Sequence, residues 1–227
     1  MKHKHKVSII IPTKNESQGL ESVLKSVRKY VNEIIVVDGH SKDGAGKISK
    51  KMRAKFYLDH GLGKGNAVRT GIKKATGDII IIFDADGSPN AKDIPRLVKT
   101  LISSEADMVI TSRRTGGSFD FDINLNGMIR TLGSDFMTFL VNKRFGTNFS
   151  DILYNFRAFK SSSLKKINPS ANGFDIEQEM LVCALKHRLL VIEIPSREEK
   201  RKWGKSKLST LSGIGLLCKL IAQLVSR

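Results

Sequence analysis

Gly77-Asp78-Ile79-Ile80-Ile81-Ile82-Phe83-Asp84-Ala85-Asp86-Gly87-Ser88 is an apolar run that ends in two carboxylates one residue apart. Four consecutive isoleucines and a phenylalanine suit a strand covered on both faces, as in a parallel sheet flanked by helices. Ligands of such sheets gather at the carboxyl ends of the strands, which is where Asp84 and Asp86 fall. Side chains at i and i+2 share one side of a strand, so the two carboxylates are spaced to face one cation, and their hard oxygens suit Mg²⁺ or Mn²⁺. An acidic turn closing a strand is spelled the same way, so the pair alone does not separate the two readings.

Strand and helix patterns alternate on either side of this run. Residues 7–12 and 33–38 read as strands, the first closed by Pro12 and the second by Asp38, with a helix between them whose apolar positions are Leu20, Val23, Leu24 and Val27. A short helix follows Gly39-His40-Ser41-Lys42-Asp43-Gly44, then a strand near residues 55–58 and a Gly-rich loop opening a helix over 67–75. Beyond the acidic turn, residues 93–101 read as helix and 107–111 as strand, leading into Ser112-Arg113-Arg114. Residues 124–143 are helical, with Leu125, Met128, Ile129, Leu132, Phe136, Phe139 and Leu140 forming a stripe that reads as core or as the wall of an apolar groove. Residues 176–187 and 189–195 read as a further helix and strand. The alternation predicts an α/β fold, a Rossmann-like doubly wound, mostly parallel sheet with helices on both faces. No linker or repeat divides it, so residues 1–207 are expected to form one domain and residues 208–227 a C-terminal helix.

The formal net charge is +17, from 39 Lys and Arg against 22 Asp and Glu, and it calls for anionic partners such as nucleic acid, phosphorylated substrates or an acidic membrane surface. Residues 197–227 hold eight Lys or Arg against Glu198 and Glu199, a local balance of +6. No zinc-finger, helix-turn-helix or aromatic RNA-binding signature accompanies them, so nucleic acid is not the expected partner. In the last segment Ile214, Leu217, Cys218, Ile221, Leu224 and Val225 keep one helical face while Lys219 and Gln223 take the other. Its uncharged stretch, residues 208–218, is well short of the roughly 20 residues that span a bilayer. A helix lying at an anionic membrane interface is expected, with docking on the protein's own core or a subunit partner as the alternative. Cys183 and Cys218 lie in apolar helical patterns without metal-ligand spacing and read as buried, reduced thiols of a cytoplasmic protein. The basic Met1-Lys2-His3-Lys4-His5-Lys6 runs directly into a strand, without the apolar region of a secretory signal.

Pro12-Thr13-Lys14-Asn15-Glu16, Asp38 and Asp84-Ala85-Asp86 would meet at one sheet edge, and in that combination the chain resembles the inverting family-two glycosyltransferases, whose fold is called GT-A. The resemblance implies a nucleotide-sugar donor held through a divalent cation, Mg²⁺ or Mn²⁺. It assigns the donor nucleotide to Pro12, Thr13, Asn15, Glu16, Asp38, Asp43, Gly63, Lys64 and Asp84, and the metal to Asp84, Asp86 and Ser88. Ser88 stands where many relatives carry Gln, so water could replace its contact. Glu177 and Glu179 lie in a region that touches substrate in the family, but carboxylates on a helix read as solvent-facing.

Gly61-Leu62-Gly63-Lys64-Gly65, Asp84-Ala85-Asp86-Gly87-Ser88-Pro89, Ser112-Arg113, Asp151, Asn155-Phe156-Arg157 and Arg201-Lys202-Trp203-Gly204-Lys205-Ser206-Lys207 together are similar to the dolichyl-phosphate mannose synthases and related polyprenyl-phosphate hexosyltransferases. That narrower resemblance implies transfer of a hexose, foremost mannose from GDP-mannose, to dolichyl or polyprenyl phosphate. A UDP-glucose donor or a soluble acceptor is the alternative within the same class. It assigns the acceptor phosphate to Arg113 (or Arg114), Arg130, Ser134, Arg201, Ser206 and Lys207, and catalysis to Asp84, Asp86, Arg113 and Arg201. A lipid monophosphate already presents an anionic oxygen, so cations matter more than a general base. The implied location is peripheral, at the cytoplasmic face of a membrane, reached directly or through a membrane-anchoring partner.

Overall fold

The computed structural model describes residues 5–118, 125–203 and 210–226. All of β1 (Val7–Thr13) is buried, because strands hydrogen-bond to both its edges and helices cover both faces. On one side lie β2 (Glu33–Asp38) and β3 (Lys55–Leu58), and on the other β4 (Ile79–Ile82), whose four isoleucines are all buried. With β5 (Met108–Ser112), β6 (Arg157–Lys160) and β7 (Val191–Pro195) the sheet runs β3-β2-β1-β4-β6-β5-β7. Every paired neighbour is parallel except β6, which is antiparallel to both β4 and β5. The chain winds outward from β1 in one direction through β2 and β3 and then returns to β4 on the opposite edge. The carboxyl ends of β1 and β4 therefore flank a topological switch point, where crevices form in open α/β sheets.

Alternation of side chains builds two core layers. Val7, Ile9, Ile11, Ile79 and Ile81 pack with Leu20, Val23, Leu24 and Val27 of α1 (Ser17–Arg28). After α2 (Ala45–Lys51), the face built on Ile10, Ile80 and Ile82 packs with Ala67 and Val68 of α3 (Lys64–Lys74). The first layer also takes in α4 (Ile94–Ser103), and a short α5 (Arg113–Gly116) leads on to α6 (Leu125–Phe145). The second layer is completed by α6, α7 (Ser161–Ile167), α8 (Ile176–Lys186) and α9 (Thr210–Val225). Each isoleucine so covered contributes roughly 1.5–3 kcal/mol, and this holds the sheet edge rigid.

Several readings change. The β6 strand and α7 occupy a stretch where the sequence pattern showed no element, and the Gly-rich loop ends earlier because α3 already begins at Lys64. The α6 stripe is not core: Met137 and Val141 point inward, while Met128, Ile129, Leu132, Phe136 and Phe139 are exposed. In α9 the inward residues are Leu216, Leu220 and Leu224, spaced four apart, whereas Ile214, Ile221 and Val225 face outward. This helix docks on the protein: Gln178 donates to the Leu216 carbonyl, Arg144 to that of Leu224, and Lys219 pairs with Asp175 at 3.0 Å. Finally, both thiols are free, with Cys183 only half-buried and Cys218 exposed. Among the described residues, no helix is long and apolar enough to cross a membrane.

Candidate active site

A cleft of about 260 Å³ opens at the carboxyl ends of β3, β2, β1 and β4. Pro12, Thr13 and Glu16 line it, with Asp84 and Asp86 on the β4 side and Asp59 on the β3 side. Gly63 and Lys64 bring the first turn of α3 to its rim, so that a helix N-terminus and its partial positive charge face the cavity. Gly65 is required there for space, since a Cβ on it would lie 2.5 Å from the carbonyl oxygen of Ala171. Arg69 clasps the same loop through the Ser170 carbonyl and Asn172, and Glu179 accepts hydrogen bonds from Ser170 and Ala171.

Both acidic residues are paired with protein cations. Lys64 Nζ lies 2.9 Å from Asp84 Oδ1 and 2.9 Å from Glu177 Oε1, and Asn155 donates to Asp84 Oδ1 at 2.8 Å. Burial pushes the Asp84 carboxyl up, but Lys64, Asn155 and Arg201 together outweigh it and hold the group below the usual range. Glu177 is instead left above its ordinary value by burial, which Lys64 only partly offsets. Burial also opposes the charge on Lys64, yet its two carboxylates raise its pKa above that of a free lysine. Arg201 Nη2 is 2.8 Å from Asp86 Oδ2, and Nη1 is 3.9 Å from Glu16.

Arg201 belongs to a strap, residues 196–203, that lies across the acidic turn. Backbone bonds run from Glu198 to the Gly117 carbonyl, from Glu199 to that of Ser88, and from Lys202 to that of Asp86. The Trp203 indole packs against Gly19 and Gly87. Gly87 has φ +76°, a left-handed conformation that glycine adopts without penalty, and a Cβ there would also strike the indole ring.

The positions named from sequence divide into groups. Pro12, Thr13, Glu16, Gly63, Lys64, Asp84, Asp86 and Arg201 line the cleft. Asn15, Asp38 and Asp43 stand behind its wall. Asp38 accepts from the backbone N–H and the hydroxyl of Ser41, Ser41 accepts from the Asn15 N–H, and Asp43 accepts from the Ser17 N–H at the start of α1. Ser88 is buried and reaches the acidic pair through its backbone, donating to Asp86 Oδ1 at 3.0 Å.

Arg113 is committed to Asp151, with Nε at 2.6 Å and Nη2 at 3.1 Å, and its Nη1 is 3.7 Å from Glu198 of the strap. Arg114 binds Asp135 at 2.5 Å and so ties the end of β5 to α6. Arg130 is exposed and Ser134 half-buried on that helix, and neither lines the cleft. Ser206 and Lys207 fall outside the described residues.

Glu177 and Glu179 correct the reading that placed them in solvent, for they are 3% and 9% exposed. Lys14, Asp59, Ala67 and Phe174 also line the cleft and were not chosen from the sequence. Asp59, one residue beyond β3, stands at a strand end just as Asp84 does, and that position is the signal that picks it out. In the sequence Arg157 stands out only as part of a motif. It is fully buried and donates to the carbonyls of Glu177, Ile152 and Tyr154, which joins β6 to the loop before it, which carries Asn155, and to the start of α8, which carries Glu177.

Residues 8–167 match the family model described as glycosyl transferase family 2. An undecaprenyl-phosphate mannosyltransferase of Micrococcus luteus is 31% identical over 221 residues, covering 90% of this chain and 88% of that protein. A UDP-N-acetylglucosamine–dolichyl-phosphate N-acetylglucosaminyltransferase of Methanococcus voltae is 28% identical over 213 residues, covering 83% and 84%. Among solved structures, glucosyl-3-phosphoglycerate synthase of Mycobacterium tuberculosis, in complex with Mn²⁺, uridine diphosphate and phosphoglyceric acid, aligns with a TM-score of 0.79 at 20% identity, over 100% of this chain and 81% of that one. The sheet, its switch-point cleft and these matches converge: the chain has the GT-A fold and belongs to glycosyl transferase family 2.

Proposed function

We propose that this glycosyltransferase moves a hexose from a nucleotide sugar to a polyprenyl phosphate at a membrane surface, with inversion at the anomeric carbon. The observation that carries the reading is the cleft itself, where two strand-end carboxylates, a helix N-terminus and Arg201 meet at the switch point. The names of the Micrococcus and Methanococcus relatives, both of which act with a polyprenyl phosphate, support the acceptor.

Asp84 and Asp86 fit a divalent cation, because they form an all-oxygen pair whose negative charge already draws two protein cations. They would hold Mg²⁺ or Mn²⁺ together with oxygens from the donor diphosphate. When bound, the cation supplies Lewis-acid stabilisation of charge on the leaving nucleoside diphosphate. Among the described residues no group of three or more His, Cys, Asp or Glu could hold a metal.

The chain's own groups do the rest. The α3 N-terminus and Lys64 face the donor phosphates. Arg201 holds the acceptor phosphate through a planar fork suited to that anion. Because the acceptor oxygen is already anionic, the residues have only to orient it and exclude water. Arg113, held by Asp151 and close to Glu198, acts by fixing the strap. The exposed apolar residues of α6 and α9, with Arg130, Lys143, Arg144 and Lys219 on the same helices, suit the lipid and its anionic surface.

Mannose from GDP-mannose is the leading donor. The UDP donor named for the Methanococcus relative favours a uridine nucleotide as the second reading. Radiolabelled GDP-mannose, UDP-glucose and UDP-N-acetylglucosamine, each supplied with a short polyprenyl phosphate and Mn²⁺ or EDTA, separate them. Cation-dependent label in the lipid fraction is expected from one donor. Label that reaches only a soluble phosphorylated acceptor would overturn the lipid reading.

A further inference from the structure

The far end of the cleft is built differently from the metal end. Asp38, the carboxylate expected to meet the nucleotide, is not available there: both of its oxygens are taken by Ser41, at 2.8 and 2.5 Å, and it does not line the cavity. The neighbouring strand supplies another carboxylate. The Asp59 backbone N–H bonds to the Asp38 carbonyl, so Asp59 continues the β2–β3 ladder and arrives at the cleft wall beside Gly39 and Thr13. Its side chain is 2% exposed. The Gly61 N–H donates to Oδ1 at 2.7 Å, while His40 Nε2 bonds the Asp59 backbone carbonyl at 2.9 Å and lies 3.5 Å from Oδ1, which leaves Oδ2 as the acceptor available to a ligand. Thr13 Oγ1 lines the same cavity, is buried and has no hydrogen-bond partner. A buried hydroxyl in that condition costs free energy unless a ligand completes it.

Position and chemistry together say which part of a nucleotide reaches this end. From β3 to β4 is three strand spacings, about 14 Å. With the diphosphate at Asp84, Asp86 and the start of α3, the opposite end of the nucleotide, its base, falls at Asp59 and Thr13. A carboxylate accepts hydrogen bonds and repels lone pairs. It therefore favours a base whose ring edge carries an N–H, which is N1–H in guanine and N3–H in uracil. The corresponding ring nitrogens of adenine and cytosine present lone pairs. The Thr13 hydroxyl can then donate to a ring carbonyl, O6 of guanine or a uracil oxygen.

We propose that Asp59, assisted by Thr13, is the base-selecting residue of the donor site and admits nucleotides with a ring N–H, guanine or uracil, over adenine and cytosine. This rests on the nucleotide-sugar reading above and sharpens it.

Calorimetric binding of GDP, UDP, CDP and ADP in the presence of Mn²⁺, to the full chain and to Asp59→Asn, tests the proposal without requiring an acceptor or turnover. GDP or UDP is expected to bind at least about tenfold more tightly than CDP and ADP, as when a site built around one hydrogen bond meets an analogue lacking it. Which of the two binds more tightly identifies the donor class. Asp59→Asn keeps size and an oxygen for Gly61 but offers an amide N–H, so it should weaken the preferred nucleotide about tenfold or more and bring CDP or ADP up to it. Equal binding of all four nucleotides, or an unchanged ranking in an Asp59→Asn protein with a wild-type melting profile, would overturn the role of Asp59 and leave the nucleotide-sugar reading standing. If no nucleoside diphosphate binds, both fall. The four-nucleotide comparison on the unmodified chain keeps the inference falsifiable even if the variant folds poorly.

Discussion

The guanidinium of Arg201 rests on the second carboxylate of the acidic turn, Nη2 to Asp86 Oδ2 at 2.8 Å. The group proposed to hold the acceptor phosphate thus sits on a group proposed to hold the metal. Arg201→Gln is expected to bind Mn²⁺ alone about threefold to tenfold more tightly, the size of one charge-assisted contact, and to lose transfer to polyprenyl phosphate. Calorimetry with Mn²⁺ reads the first effect. An unchanged or weakened Mn²⁺ affinity would mean that Arg201 does not compete with the cation.

Gly87 turns the chain out of the acidic pair with φ +76°, under the ring of Trp203. Gly87→Ala combines left-handed strain with a steric clash and should destabilise the protein by about 1–3 kcal/mol. The midpoint of urea unfolding checks this, and a variant as stable as the parent would show that the strap can lift away at no cost.

Arg157 carries a charge in a fully buried position and meets it with carbonyl oxygens, while Glu177, Asp151 and Asp84 lie near enough to support the charge. Burial lowers its pKa to about 10, so it remains protonated at neutral pH. Arg157→Met leaves three carbonyls without donors and three carboxylates short of a cation. The expected loss is about 3–5 kcal/mol by denaturant unfolding. A loss below about 1 kcal/mol would show that water or rearrangement replaces the guanidinium.

Acid should also act at the opposite edge of the sheet. Burial raises the Glu33 carboxyl, but hydrogen bonds from Lys55, Ser8 and Thr76 outweigh it and bring the pKa from an ordinary 4.5 down to about 2. A carboxylate depressed in the folded state stabilises fully above its unfolded pKa and loses that contribution as pH falls through the folded one. The stabilisation should therefore fade between pH 4.5 and about 2. Glu33→Gln should be less stable at pH 7 and flatter across that window. Parallel melting curves for the two proteins between pH 7 and 3 would contradict the assignment.

The outward residues of α6 and α9 can be changed without touching the core. Phe136→Glu with Ile221→Asp, both exposed, should leave the melting temperature nearly unchanged and reduce cosedimentation with anionic phospholipid vesicles about tenfold or more. Full retention of vesicle binding would move the membrane contact elsewhere.

The parts of this fold that follow a repeating pattern could be read from sequence, and the parts that depend on a distant partner could not. The isoleucines of β4 announce a strand buried on both faces, and Leu20, Val23, Leu24 and Val27 announce α1. The β6 strand is hidden because it is four residues long and begins and ends with a cation, Arg157 and Lys160. Its pairing with β4 and β5 is invisible to any local window. Glu177 misleads for the same reason: a glutamate in the first turn of a helix reads as solvated until Lys64, far away in the chain, arrives at 2.9 Å. Asp38 misleads differently, since Ser41, three residues on, takes the carboxylate that appeared free.

Trp203 is the only tryptophan of the chain, and it packs over the glycine that follows the acidic pair. The molecule therefore carries its own optical probe at the place where the strap meets the acidic turn. If the strap shifts as Arg201 leaves Asp86, the indole exchanges protein for water, and its emission should move to longer wavelength as Mn²⁺ and nucleotide are added. Closure and reopening of the site can then be followed in real time, in the unmodified enzyme, without a label.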